Sequence, residues 1–152
     1  MEYLLGIDIG GTHVKGGIVT GTTGKMDQRT IVYEKIDAGG SATSIIKGIL
    51  RVITALKKGR SENEWRGIGI AIPGPFDYTR GIAAIHGVRK FVALFGLDLI
   101  EEIKRVCCLP VVFLNDASAN ALGEYYGGAP KGSERSMVVT VATELASTFM
   151  AR

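Results

Sequence analysis

Three short stretches carry side chains suited to handling phosphate and hydroxyl groups. The first is Gly6-Ile7-Asp8-Ile9-Gly10-Gly11-Thr12-His13-Val14-Lys15. It fits neither the dinucleotide pattern G-x-G-x-x-G nor the P-loop G-x-x-x-x-G-K-[ST]. It sets a carboxylate near the end of an apolar run, followed by a Gly-Gly-Thr turn. Backbone N–H groups there can meet a phosphate directly, because no Cβ stands in the way. Thr12 adds a hydroxyl, and Asp8 is a candidate ligand for a hydrated Mg²⁺. The plain alternative is a tight hairpin with a satisfied Asp, but a carboxylate on an otherwise apolar strand needs a partner.

The second stretch is Gly69-Ile70-Ala71-Ile72-Pro73-Gly74-Pro75-Phe76-Asp77, an apolar strand stopped by a rigid Pro-Gly-Pro loop. Ligands of open α/β sheets bind at that carboxyl edge; taken alone, an ordinary loop stop explains it equally well. The third is Val111-Val112-Phe113-Leu114-Asn115-Asp116-Ala117-Ser118. Asp116 reads either as the N-cap of a following helix or as a general base. Three such ends converging on one sheet favour a shared site over coincidence.

Positioning these ends requires strands and helices in a definite order. Tyr3–Ile9, Val14–Thr20 and Thr30–Ile36 read as a β-meander. Ser41 or Thr43 can cap a helix whose Ile45, Ile46, Ile49, Leu50, Ile53 and Leu56 keep helical spacing, closed by Lys57, Lys58 and Gly59. Gly67–Ile72 is a buried-type strand, Asp77–Ala93 mostly loop, and Leu97–Val106 a helix. Val111–Leu114 is a strand, Ala117–Tyr126 a helix, and Met137–Val141 a last strand. The order β-β-β-α-β-α-β-α-β predicts an α/β fold: a mixed five-stranded sheet of the ribonuclease-H kind with helices on both faces, plus one extra strand.

Composition bounds the rest. With 152 residues, 46% of them apolar, the chain can fill one core, and 22% charged residues exclude a disordered chain. A net charge of +3 gives no basic footprint for nucleic acid. The 21 glycines are about twice the ~7% common in globular chains, and seven fall among the first 24 residues. Such clustering suggests a backbone that something must approach closely. Cys107 and Cys108 are adjacent and poorly placed to bridge each other, as in a reduced cytosolic protein. The longest uncharged apolar run, Val106 to Leu114, has 9 residues, so no membrane span is expected. No signal peptide is read at the start, and a cytoplasmic location is expected.

Asp8-Ile-Gly-Gly-Thr-x-x-Lys15, the GIAIPGP run, and Asn115-Asp116-Ala-x-Ala-x-Ala-Leu-Gly-Glu124 together resemble the ROK family of bacterial sugar kinases and sugar-responsive repressors. The resemblance covers roughly Tyr3 to Val141. It implies the actin/hexokinase-type ATPase fold and phosphoryl transfer from ATP, or polyphosphate, to a hexose hydroxyl. Asp116 then matches the catalytic base. Asn115, Pro73 and Gly74 match sugar-binding positions, and His86 stands where relatives often place an Asn, as a sugar donor or an ordinary loop His. Asp8, Gly10, Gly11, Thr12 and Lys15 match the phosphate turn, with Asp8 holding Mg²⁺ through water.

The departures from the family pattern are equally specific. Ala142-Thr143-Glu144 stands where a second Gly-Thr-Gly phosphate loop is usual. The expected organisation is therefore an N-terminal lobe over 1–136, with 137–152 opening a second lobe that the chain does not contain. Such a lone lobe is expected to be inactive or impaired, and its last strand to be an orphan whose exposed Val139, Val141, Leu145, Phe149 and Met150 favour a homo-oligomer. A non-catalytic, sugar-binding regulator is the competing reading. It ranks lower, because such repressors carry a DNA-binding domain before the first strand, which here begins at Tyr3. An acyl-type or chaperone-type ATPase on the same fold is a third.

Overall fold

The computed structural model describes residues 2–87, 89–128, 134–141 and 145–151. Strands β1 (Tyr3–Ile9), β2 (His13–Thr20), β3 (Met26–Lys35), β4 (Trp65–Ile72) and β7 (Val111–Asn115) form one sheet in the order β3-β2-β1-β4-β7. The meander β1-β2-β3 is antiparallel, while β1, β4 and β7 run parallel. Parallel neighbours require crossovers. Helix α1 (Ala42–Lys57) lies in the first, and α2 (Leu99–Lys104) in the second. Because β1, β4 and β7 share a direction, their carboxyl ends meet at one edge of the sheet. Helix α3 (Asp116–Gly127) leaves β7 at that edge.

Alternation along the strands explains the core. Leu5, Ile7 and Ile9 of β1, Val14 and Ile18 of β2, Ile68, Ile70 and Ile72 of β4, and Phe113 of β7 are buried together. They are sealed by Ile45, Ile49, Val52, Ile53 and Leu56 of α1 and by Leu99 and Ile103 of α2. Ser41 starts α1 by accepting the Ser44 N–H on its hydroxyl. The helix sits close to the meander because two glycines admit it. A Cβ on Gly16 would meet Val52 at 2.6 Å and Leu56 at 2.8 Å, and one on Gly48 would collide with Ile36. Part of the glycine excess is therefore helix-to-sheet packing. Leu4, Val112 and Leu114, on the alternate face of β1 and β7, are exposed.

The structure differs from the sequence expectations in four places. β3 begins at Met26 rather than Thr30, because the ladder shifts: Gly16 pairs with Val32 but Ile18 with Asp27. The Thr30 hydroxyl fills the gap, accepting the Ile18 N–H at 2.9 Å and donating to the Asp27 carbonyl at 2.7 Å. Asp77–Ala93 holds a small hairpin, β5 (Phe76–Asp77) with β6 (Ile82–Ala83), and a buried floor of Ile85 and Phe91. α2 is shorter than the predicted Leu97–Val106, because Leu97 and Asp98 stay extended against β6. Ala83 donates to the Leu97 carbonyl, and Asp98 caps the helix through the Ile100 and Glu101 N–H groups.

The fourth difference concerns the last strand, which is not an orphan. β8 (Arg135–Val141) pairs antiparallel with β9 (Leu145–Ala151), and the hairpin packs beside α3. Met137, Val139 and Phe149 are exposed on it. The side chains of Val141, Leu145 and Met150, and the whole of Ala142-Thr143-Glu144, lie outside the described residues. Cys107 is buried and Cys108 exposed, both as free thiols. Among the described residues no helix is long and apolar enough to cross a membrane.

Candidate functional site at the carboxyl edge of the sheet

The turn after β1 is held from outside by its carbonyl groups. Gly11 C=O accepts the Ala38 N–H and Thr12 C=O the Ile36 N–H, each at 3.0 Å, while Gly10 N–H donates to His13 C=O at 2.9 Å. Among the described residues, the N–H groups of Gly11 and Thr12 donate to no protein group. This is the polarity an anion requires: carbonyls turned into the protein and N–H donors left available. Thr12 Oγ1 lies 3.1 Å from His13 Nδ1. Lys15 pairs with Tyr33 across the ladder and sets its ammonium 5.5 Å from that ring's centroid.

Asp8 sits in register with Lys15 on one side and Ala71 on the other. Its carboxyl is held above its ordinary pKa of 3.8, first by partial burial and then by the Asp116 carboxylate, against the opposing pull of His13 and Lys15. The two carboxylates of the sequence motifs thus feel each other across the sheet edge. Their repulsion favours a cation between or beside them.

A raised native pKa means that the folded state binds the proton more tightly than the unfolded chain. Stability therefore falls as pH rises through the window between 3.8 and the raised value, and the cost persists at neutral pH. Asp8→Asn is expected to melt at a higher temperature than the parent at pH 7. The advantage should vanish below pH 3.8, as scanning calorimetry across that range would read.

At the end of β4, Pro73, Gly74 and Pro75 turn the chain away from the sheet, with a cis peptide between Gly74 and Pro75. One row further, Ile72 pairs with Asn115 at the end of β7. Asn115, not Asp116, is the N-cap of α3: its Oδ1 accepts the N–H groups of Ala117 at 3.1 Å and Ser118 at 3.3 Å. Asp116 is thereby left as the first helical residue. It is exposed, accepts the Ala117 N–H at 2.9 Å, and stands at the N-terminal end of the helix.

Tyr78 joins these two ends, and nothing in the sequence marks it. Its hydroxyl donates to the Ile72 carbonyl and accepts from Asn115 Nδ2, each at 3.3 Å. Burial pushes the phenol pKa up, so it stays a neutral donor. A Cβ on Gly74 would come within 3.1 Å of that same hydroxyl, so a larger residue there would press on this bridge. The Asn115 amide, read as a sugar ligand, is thus largely engaged by the protein, with one Nδ2 hydrogen left for a substrate. His86 is exposed in the loop after β6. Its Nδ1 lies 3.0 Å from the Ala84 carbonyl and its ring packs edge-on to Phe95, which leaves Nε2 for a ligand. The structure brings Asp8, Asn115 and Asp116 together with the ends of β1, β4 and β7. Among the described residues no contact ties His86 to them.

A family model described as the ROK family matches residues 4–147. The chain belongs to the ROK family. A glucokinase of Halalkalibacterium halodurans is 28% identical over 151 residues, 99% of this chain but 44% of the relative. A glucokinase of Thermotoga maritima is 28% identical over 140 residues, 92% of this chain and 42% of that protein. The chain thus spans less than half the length of the curated relatives it matches. Among solved ROK structures, the glucokinase from Streptomyces griseus, in complex with glucose and AMPPNP, superposes with a TM-score of 0.77 at 26% identity, over 98% of this chain and 44% of that one. The inorganic polyphosphate/ATP-glucomannokinase of Arthrobacter sp. strain KM superposes with 0.79 at 25% identity, over 99% and 59%. The mixed five-stranded sheet with its helices is therefore the actin/hexokinase-like ATPase lobe that ROK sugar kinases share. A ROK family transcriptional regulator has the same fold, with a TM-score of 0.75 at 19% identity over 98% of this chain and 36% of that one.

Proposed function

We propose that this ROK chain is the N-terminal lobe of a sugar kinase that transfers a phosphoryl group from ATP or polyphosphate to a hexose hydroxyl. In this reading 1–136 form the lobe and 137–152 open the second one. The observation that carries the reading is the meeting of Asp8 and Asp116 at one sheet edge, beside the turn's N–H donors and the Pro-Gly-Pro loop at the end of β4, the strand between theirs.

The chemistry needs positioning and charge neutralisation more than covalent help from the protein. Asp116 accepts the proton of the attacking hydroxyl as that oxygen bonds to the donor's terminal phosphorus and the bond to the leaving phosphate breaks. Asn115 and the Pro73-Gly74 loop orient the sugar, and His86 Nε2 is a further candidate donor to it. The N–H groups of Gly11 and Thr12 face the donor phosphates, with Lys15 adding positive charge. Asp8 is the carboxylate that would hold a hydrated Mg²⁺ beside the donor phosphates. Such an ion supplies neutralisation of the developing charge.

The regulatory reading draws support from one feature, the Glu144 that replaces a glycine of the usual second phosphate loop. The retained Asp116 favours the kinase. Assaying the full-length polypeptide with ATP and with polyphosphate against a panel of hexoses and acetylated hexosamines separates the two. Donor-dependent formation of a sugar phosphate supports transfer. Sugar binding without any turnover would establish the regulatory role instead.

A further inference from the structure

One cation lies on the phosphate turn from outside every motif considered so far. A Cβ built on Gly11 would lie 3.3 Å from both Cδ and Cε of Lys90, and 3.7 Å from its Nζ. The Lys90 stem therefore crosses the bare face of Gly11, and its ammonium stands beside the turn whose N–H groups are left available. Among the described residues no carboxylate pairs with that ammonium. The positive charges that reach Asp8 come from His13 and Lys15 rather than from Lys90.

The position is enforced by the fold. Phe91, the next residue, is 1% exposed and has φ 60°, a left-handed conformation that bulky residues seldom adopt. Its N–H donates to the Ala38 carbonyl at 2.7 Å, and the Ala38 N–H donates in turn to the Gly11 carbonyl at 3.0 Å. Two consecutive backbone hydrogen bonds thus clamp the Lys90–Phe91 segment to the turn. Held strain of this kind, beside a polar site, points to function.

We infer that Lys90 is an additional anion-binding residue of the Gly10-Gly11-Thr12 turn, contributing its ammonium to the phosphates of the phosphoryl donor. The assignment rests on reading that turn as the phosphate site. A lysine suits the task because it acts as a mobile point charge that follows a transferring group without imposing a planar geometry. Gly11 has two roles here: it frees its own N–H for the anion and makes room for the lysine stem.

Calorimetric titration of the 152-residue chain with inorganic tripolyphosphate at low ionic strength tests this, using Lys90→Met, Lys90→Arg and Gly11→Val. Lys90→Met keeps the apolar stem and removes the charge. It is expected to weaken tripolyphosphate binding about tenfold or more, as for a lost charge-assisted contact, with a smaller deficit at high salt. Lys90→Arg should restore most of the affinity. If Lys90→Met binds as the parent does while Gly11→Val abolishes binding, the lysine assignment is overturned and the turn stands. If the parent itself binds no tripolyphosphate, the turn and the lysine both fall as a phosphate site.

Discussion

Asp116→Asn is expected to lower kcat for hexose phosphorylation by about 10²–10⁴-fold in the full-length polypeptide, with the affinity for the sugar nearly unchanged. The asparagine fills the same space and can still accept a hydrogen bond, but it cannot take the hydroxyl proton. Asp116 is suited to that role because Asn115 performs the capping that an aspartate at this position otherwise would. Freed from the cap, the carboxylate stands exposed at the start of α3. Steady-state kinetics with sugar binding measured separately would check the split. A variant that loses sugar affinity and keeps kcat would make Asp116 a binding residue instead.

Asn115→Ala has the second large effect, because one amide performs two tasks. Its Oδ1 accepts two backbone N–H groups at the start of α3, and its Nδ2 donates to Tyr78. Loss of the cap costs about 1–2 kcal/mol, or roughly 2–8 °C in Tm for a chain of this size. Loss of the Tyr78 contact also releases the end of β7 from the end of β4, so Asp116 no longer holds its place relative to the Pro73-Gly74 loop. Asn115→Asp separates the two tasks: a carboxylate still caps the helix but offers no hydrogen to Tyr78 and places a second charge beside Asp116. Thermal stability should return with Asn115→Asp while sugar affinity stays low, as melting curves and titration calorimetry would report. Recovery of both would reduce Asn115 to a cap.

The parts of this fold that announce themselves locally were legible from residue types alone. The runs at Tyr3–Ile9, around Ile68–Ile72 and at Val111–Leu114 are apolar and end at Gly, Pro or Asn, so the carboxyl edge that carries the candidate site could be read from their ends. Asp8 and Asp116 followed, each being the carboxylate at such an end. The roles that depend on long-range contact were hidden. Tyr78 lies 37 residues from Asn115 and is one aromatic in a stretch without a period. Lys90 is an unremarkable loop lysine until the fold lays it over Gly11. Which of two adjacent residues caps α3 depends on backbone conformation, and either side chain was suitable.

The glycines illustrate the same limit. Gly10 and Gly11 serve the turn, as their clustering suggested. Gly16 sits in the same cluster for another reason, since its missing Cβ admits Val52 and Leu56 of a helix that begins 26 residues later. Composition registers that something approaches closely and does not distinguish a ligand from a helix. The early start of β3 was concealed in a similar way, because the polar Asp27, Gln28 and Arg29 interrupt the alternation and a threonine hydroxyl takes over one rung of the ladder.

We propose that the carboxyl edge of β1, β4 and β7 is a hexose site beside a phosphate turn. Titrating the isotopically labelled 152-residue chain with glucose, and then with tripolyphosphate, while following backbone amide resonances tests it most directly. Glucose is predicted to shift the amides of Gly74, Asn115 and Asp116, and tripolyphosphate those of Gly11 and Thr12, with the α1 face unaffected. Shifts confined to α1 or to the β8–β9 hairpin, with the sheet edge silent to both ligands, would contradict it.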